Sequence, residues 1–211
     1  MKIFYHKILG STQEYLKELV KNKKTDFPIA IVCDIQTNGV GSRDNNWHGY
    51  DGNLFLSFAI ELNKLPIDLK LESSSIYFAY LLKETLFELG SHTWVKWPND
   101  FYIDNLKIGG MITNIVDDKL ICGVGLNLVN APQEFAVLDI VILREELLKK
   151  YFIKIENTPS WKQVFSKYKL EFHKNKKYFA HDCNVRISLE NATLCGDGSI
   201  ISNGKRIYSL R

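Results

Sequence analysis

No C-x-x-C pair occurs among the four cysteines, Cys33, Cys122, Cys183 and Cys195, and a chain of 211 residues needs no disulfides to hold a core. The thiols are therefore expected to be reduced, as in a cytoplasmic protein. The histidines (His6, His48, His92, His173, His181) are scattered and none pairs with a cysteine at ligand spacing, which argues against a His/Cys metal centre. Long apolar runs are missing as well. No window approaches the ~20 residues of a membrane span, and the start of the chain lacks the apolar stretch and cleavage signal of a secretory leader. Charge of one sign is also scarce: 27 Lys and Arg against 24 Asp and Glu leave +3, too weak a field to imply nucleic acid or a membrane surface. Neither a Walker phosphate loop nor a G-x-S-x-G elbow is present, and no repeat or low-complexity tract is visible.

What is there is an ordinary globular balance, 45% hydrophobic and 24% charged. Ser11-Thr12-Gln13-Glu14 has capping-box spacing, with Leu16, Leu19 and Val20 following at helical intervals, so a helix is expected from Ser11. Ile29 to Ile35 and Asn53 to Leu62 read as strands around a polar loop, and Ser73 to Leu89 as a helix stopped by Gly90. Strands are expected from Thr93 to Trp97, Phe101 to Ile103, Lys107 to Val116 and Leu120 to Val129, then helices over 136–152 and 161–174, the second capped by Thr158-Pro159. This pattern predicts an α+β fold, a mixed sheet with helices over one face. Short strands after a boundary near residue 181 predict a small C-terminal β unit, 181–211, packed on a main domain of 1–180, because so few residues cannot hold a core alone.

Three segments carry chemistry. In Gln36-Thr37-Asn38-Gly39-Val40-Gly41-Ser42-Arg43, two glycines expose backbone amides beside a cation, a pattern that can wrap an anion or simply make turns. Trp47, in the same polar stretch, either covers apolar surface or stacks on a ligand ring. Lys96-Trp97-Pro98-Asn99-Asp100 puts a lysine, an amide and a carboxylate on one turn that can hold a polyphosphate and its metal. Lys107, followed by Gly109 and Gly110, is the candidate central cation. A carboxylate attacking the α-phosphate of ATP brings two anions together, and a lysine between them offsets their repulsion. Gly123-x-Gly125-x-Asn127 repeats bare backbone inside a strand, which favours close approach of a ligand or another chain segment.

Taken in order, Ser11-Thr12-Gln13, Gln36-x-x-Gly39-x-Gly41 with Trp47, Asn53-Leu54-x-Leu56-Ser57, the Lys96 to Asp100 run, Lys107-x-x-Gly110 and Gly123-x-Gly125-x-Asn127 resemble the biotin protein ligase family. The end, Tyr208-Ser209-Leu210-Arg211, is similar to the close of that family's C-terminal β domain. The resemblance implies a class II synthetase-like catalytic domain with a barrel-like C-terminal unit. It implies ATP-dependent ligation of biotin, through biotinyl-5'-AMP, to a lysine of a biotin carboxyl carrier protein of acetyl-CoA carboxylase, with Mg²⁺ accompanying ATP. By the same resemblance, Ser11, Thr12, Gln13, Gln36, Gly39, Val40, Gly41, Ser42, Gly109 and Gly110 would surround biotin. Lys107 would bridge carboxylate and phosphate, with Arg43 and Asp100 completing the catalytic set. Arg43, Trp47, Lys96, Asn99, Asp100, Gly125 and Asn127 would serve ATP, Asp100 being the candidate metal ligand. Two departures stand out: the glycine loop keeps Arg43 but loses three of the usual cations, and Asn114 stands where the family often has Glu.

A lipoyl or octanoyl ligase and a non-catalytic biotin-binding sensor are the competing readings. A nucleic-acid module built on Lys21, Lys23, Lys24 and 174–177 would lack interleaved aromatics. With Ser11 so near the start, no helix-turn-helix domain and no specific DNA binding are expected. The protein is expected to be a monomer or homodimer.

Overall fold

The computed structural model describes residues 1–41, 46–47, 49–182 and 185–209. Its frame is a seven-stranded sheet in the order β1-β2-β5-β9-β8-β7-β6, formed by β1 (Lys2–Leu9), β2 (Ile29–Gln36), β5 (Leu54–Glu61), β6 (Trp94–Lys96), β7 (Asp100–Ile103), β8 (Leu106–Val116) and β9 (Lys119–Leu126). β1 and β2 are parallel and the other neighbours antiparallel, the mixed sheet that the pattern predicts. Inside the stretch expected as loop, β3 (Gly39–Val40) and β4 (Asn46–Trp47) form a short ribbon of their own.

Alternation along the strands sends side chains to two faces. On one face, Ala30, Val32, Leu56, Phe58, Cys122 and Val124 join a large core with α2 (Ser74–Glu88), α3 (Arg144–Glu156) and α4 (Trp161–Glu171). α2 is buried along nearly its whole length, because it lies between the sheet and the other two helices; each large apolar side chain so buried contributes roughly 1.5–3 kcal/mol. Gly90, at φ 101°, ends the turn after α2 as expected. On the other face, α1 (Thr12–Lys21) packs Leu16 and Val20 on Ile29, Ile31, Ala59 and Ile121. Its N-cap is Ser11, whose hydroxyl accepts from the Glu14 amide at 3.4 Å.

Two helix expectations need correction. α3 starts at Arg144, not 136, because the preceding segment spends its backbone on the sheet: Ala136 N–H donates to Lys107 O at 3.0 Å and Leu138 N–H to Asn127 O at 2.8 Å. Asp139 then caps the 91–93 turn through Ser91 Oγ and His92 N–H. Tertiary hydrogen bonds outweigh helix propensity there. α4 is capped by Ser160, in a reciprocal box with Gln163, rather than by Thr158-Pro159, and Asp68 accepts from the Trp161 and Lys162 amides. It gives way to a 3₁₀ segment over Phe172–Lys177.

The C-terminal strands are β10 (Phe179–Asp182), β11 (Val185–Ser188), β12 (Thr193–Leu194), β13 (Ile200–Ser202) and β14 (Lys205–Ile207). Residue 181 falls inside β10. Ala180, Leu189, Ala192, Ile200 and Ile207 belong to the main core, so these strands pack on the rest of the chain. Polar anchors add to it: Trp97 Nε1 donates to Gly198 O and Trp161 Nε1 to Gly196 O, both at 2.8 Å. Trp97, fully buried, is thus a tie between the two parts. Trp97→Phe leaves the buried Gly198 carbonyl unpaired and is expected to cost about 1–3 kcal/mol. Urea unfolding should show a lowered midpoint with an unchanged slope; an unchanged midpoint would remove Trp97 from this role.

Candidate active site

The glycines of β8 and β9 open a slot on the α1 face of the sheet. Register sets it out in two rows: Gly110 lies opposite Gly125, itself opposite Phe55, while Ile112 lies opposite Gly123, itself opposite Ser57. Two residues along a strand separate the rows, about 7 Å. The cavity above them holds about 200 Å³ and is walled by the start of α1, Gln36, Val40, Gly41, Trp47 and Phe135. A side chain on either glycine of β9 would displace a neighbouring side chain. A Cβ on Gly123 would stand 2.5 Å from Gln13 Oε1, and one on Gly125 2.6 Å from Trp47 Cε2.

The row at Gly123 is polar and uncharged. Thr12 donates through its amide at 2.8 Å and its hydroxyl at 3.0 Å to Gln36 Oε1, and its hydroxyl lies 2.9 Å from Ser57 Oγ. The Thr12 amide is therefore taken by Gln36. Gln13 sends Nε2 to Asn114 Oδ1 at 3.0 Å, and its own Oε1 has no partner among the described residues.

The row at Gly110 is charged. Lys107 Nζ lies 2.6 Å from Asp100 Oδ1, and Lys96 Nζ lies 3.3 Å from Asp100 Oδ2. Asp100 is pulled two ways: burial disfavours its charge, while Lys107 and Lys96 favour it, and the lysines win, leaving its pKa below the ordinary 3.8. Trp47 closes this end over Gly125, edge-on to Phe135 with centroids 6.4 Å apart. Its Nε1 is buried without a partner among the described residues.

Of the residues singled out from sequence, Ser11, Thr12, Gln13, Gln36, Val40, Gly41, Trp47, Asn99, Asp100, Lys107, Gly110 and Gly125 meet at this slot. Ser42 and Arg43 lie outside the described residues. Four others stand behind the wall rather than on it. Gly39 lies against the Trp47 carbonyl and Gln36 Nε2, and Gly109 leaves room for the Gly125 carbonyl, which a Cβ would approach to 2.4 Å. Lys96 backs Asp100. Asn127 is a structural amide, donating through Nδ2 to Ala136 O at 3.2 Å and through its backbone to Ile108 O at 2.7 Å. Asn99 keeps its place on the wall but already donates to Met111 O. Gly123, read as a place of close approach, is on the floor, and Ser57, Ile112 and Phe135 line the slot without having been assigned to it. Strand register would have identified Ser57 and Ile112. Phe135 offers no local signal.

Among the described residues no three His, Cys, Asp or Glu side chains gather as a metal site, and no helix is long and apolar enough to cross a membrane. Cys33, Cys122 and Cys195 are free thiols, and burial pushes Cys33 up to about 12, so it is unreactive at neutral pH.

The fold is that of biotin protein ligases. It superposes with TM-score 0.94 on the biotin acetyl coenzyme A carboxylase synthetase of Helicobacter pylori, solved with biotinylated ATP, at 38% identity over 98% of this chain and 99% of that one. Biotin protein ligase from Aquifex aeolicus, solved with biotin and ATP, shares the fold at TM-score 0.79 and 23% identity, covering 100% of this chain and 96% of that one. The chain belongs to the biotin/lipoate A/B protein ligase family, whose model matches residues 5–127. It is 31% identical over 144 residues to the bifunctional ligase/repressor BirA of Bacillus subtilis, covering 63% of this chain and 42% of that protein. Biotin–protein ligase 2 of Arabidopsis thaliana matches at 31% over 66% of this chain and 48% of its own length. The chain thus spans less than half of these two curated relatives.

Because the folded-state pKa of Asp100 is lowered, its ion pairs stabilise the fold above the unfolded value and that contribution is lost only as pH falls through the folded value. The stability difference between the protein and Asp100→Asn is expected to be flat between about pH 5 and pH 7 and to shrink below about pH 4. Urea unfolding across that range checks it; a difference that fades between pH 7 and pH 5 would place the titration elsewhere.

Proposed function

We propose that this protein is a biotin protein ligase: it joins biotin to ATP as biotinyl-5'-AMP, then transfers the biotinyl group to a lysine of an acceptor. The observation that carries the reading is a slot with a neutral, hydrogen-bonding end and a single lysine about 7 Å further along the same glycine floor. Biotin has the matching form, an uncharged bicyclic urea joined by an apolar chain to a carboxylate. The urea carbonyl and N–H groups would meet Gln13, Gln36 and the Thr12 and Ser57 hydroxyls, and the carboxylate would reach Lys107. The names of the relatives and the ligands in their structures support the same reading.

In the first step a biotin carboxylate oxygen attacks the α-phosphorus of ATP, the new P–O bond forms, and the bond to pyrophosphate breaks. Lys107 would turn from Asp100 toward the two anions, while Lys96 keeps Asp100 paired. In the second step the neutral lysine amine of the acceptor attacks the acyl carbon, AMP leaves, and the amine proton goes to solvent. Trp47 over Gly125 would shield the adenylate from water. Magnesium would accompany the triphosphate and neutralise part of its charge; such ions take one or two carboxylates and fill their shell with phosphate and water. Asp100 could supply one such ligand only by giving up a lysine. The acceptor fitting this chemistry is a biotin carboxyl carrier protein of acetyl-CoA carboxylase type.

Octanoate or lipoate would leave the polar end of the slot unmatched, which disfavours that alternative. The test is acid-dependent exchange of pyrophosphate into ATP with biotin, lipoate and octanoate: biotin alone should support it. Lys107→Ala should keep the fold and lose about a hundredfold to a thousandfold in rate. Exchange driven by lipoate would transfer the assignment to lipoyl ligation, and near-normal exchange by Lys107→Ala would remove that residue from the centre.

A further inference from the structure

Gln13 is only 3% exposed, yet its carboxamide is asymmetrically satisfied: Nε2 donates to Asn114 Oδ1 at 3.0 Å and to the Ile121 carbonyl at 3.4 Å, while Oε1 has no partner among the described residues. A backbone carbonyl only accepts, so the amide nitrogen must face Ile121 and the oxygen must face away. That oxygen lies 2.5 Å from where a Cβ of Gly123 would stand, on the floor of the slot. Asn114 and Ile121 are direct partners on β8 and β9, so both acceptors that hold Nε2 stand on the rigid frame rather than on a loop.

We propose that Asn114 is a positioning residue that locks Gln13 with its carboxamide oxygen toward the slot. The end remote from Lys107 then selects an acid whose head group donates an N–H, such as a cyclic urea, over an acid with no donor. This rests on the biotin reading of the slot and deepens it. A donor-free acid leaves a buried acceptor unpaired, which is how a hydrogen-bonding site rejects an analogue. The contact is far from the reacting carboxylate and equal in ground and transition states, so it acts on KM and leaves kcat alone.

The experiment uses the full chain, Asn114→Leu and Asn114→Asp, with cooperative thermal unfolding as the check of folding. Biotin binding is read by calorimetry without ATP, and exchange kinetics are run with biotin as substrate and octanoate as competitor. For Asn114→Leu the biotin Kd and KM should rise about tenfold, the worth of one ordinary hydrogen bond, with kcat within about twofold. Octanoate inhibition should be unchanged. Asn114→Asp, whose carboxylate accepts the same bond, should bind biotin as the parent does. If leucine prevents folding, Asn114→Ala takes its place.

Unchanged biotin affinity in a folded Asn114→Leu would overturn the proposal. So would an equal loss for octanoate, a fall in kcat, or failure of Asn114→Asp to restore binding. An unsubstituted chain that neither binds biotin nor supports exchange would instead overturn the functional reading itself.

Discussion

Because β8 and β9 pair with Gly110 opposite Gly125 and Ile112 opposite Gly123, the sheet has bare floor at two successive rows of one face. Everything chemical here depends on that register. A slip of one residue would turn every side chain of the strand to the other face, putting Met111 and Val124 of the core where the floor now is. The core on the α2 face therefore enforces the site on the α1 face. The order of the two rows also decides which end of a ligand meets neutral groups and which meets a cation.

The charged end solves a problem that any such site has before its ligands arrive. An ammonium group with a side chain only 26% exposed is costly without a counterion, and Asp100 supplies one at 2.6 Å. A single carboxylate serving only Lys107 would be stranded when that lysine turned to an anionic ligand. Lys96, behind it, holds the other carboxylate oxygen and would keep the group paired if Lys107 turned away.

Much of this was legible in the chain. Ser11 as a cap, the strand alternation, Gly90 as a stop and the lysine-to-aspartate turn are local signals, and each is found where the local rule puts it. What was not legible depends on contacts far apart in sequence. Residues 136–143 carry helical periodicity, but Lys107 and Asn127 claim the amides of Ala136 and Leu138. Asn127 Nδ2 also donates to Ala136 O, nine residues on, a brace that no local pattern signals. Asn114 accepts from Gln13, 101 residues away, a contact that no local pattern signals.

The claim at the centre is that the slot activates a carboxylate by adenylation. The direct measurement is a rapid-quench single turnover of enzyme in excess over ATP labelled at the α-phosphate, with biotin present and no acceptor protein. The account predicts that the label moves to an enzyme-bound, acid-labile biotinyl-adenylate approaching the amount of ATP supplied, with pyrophosphate released in equal measure. Label recovered as ADP, or as free AMP with no adenylate formed on the way, would contradict it.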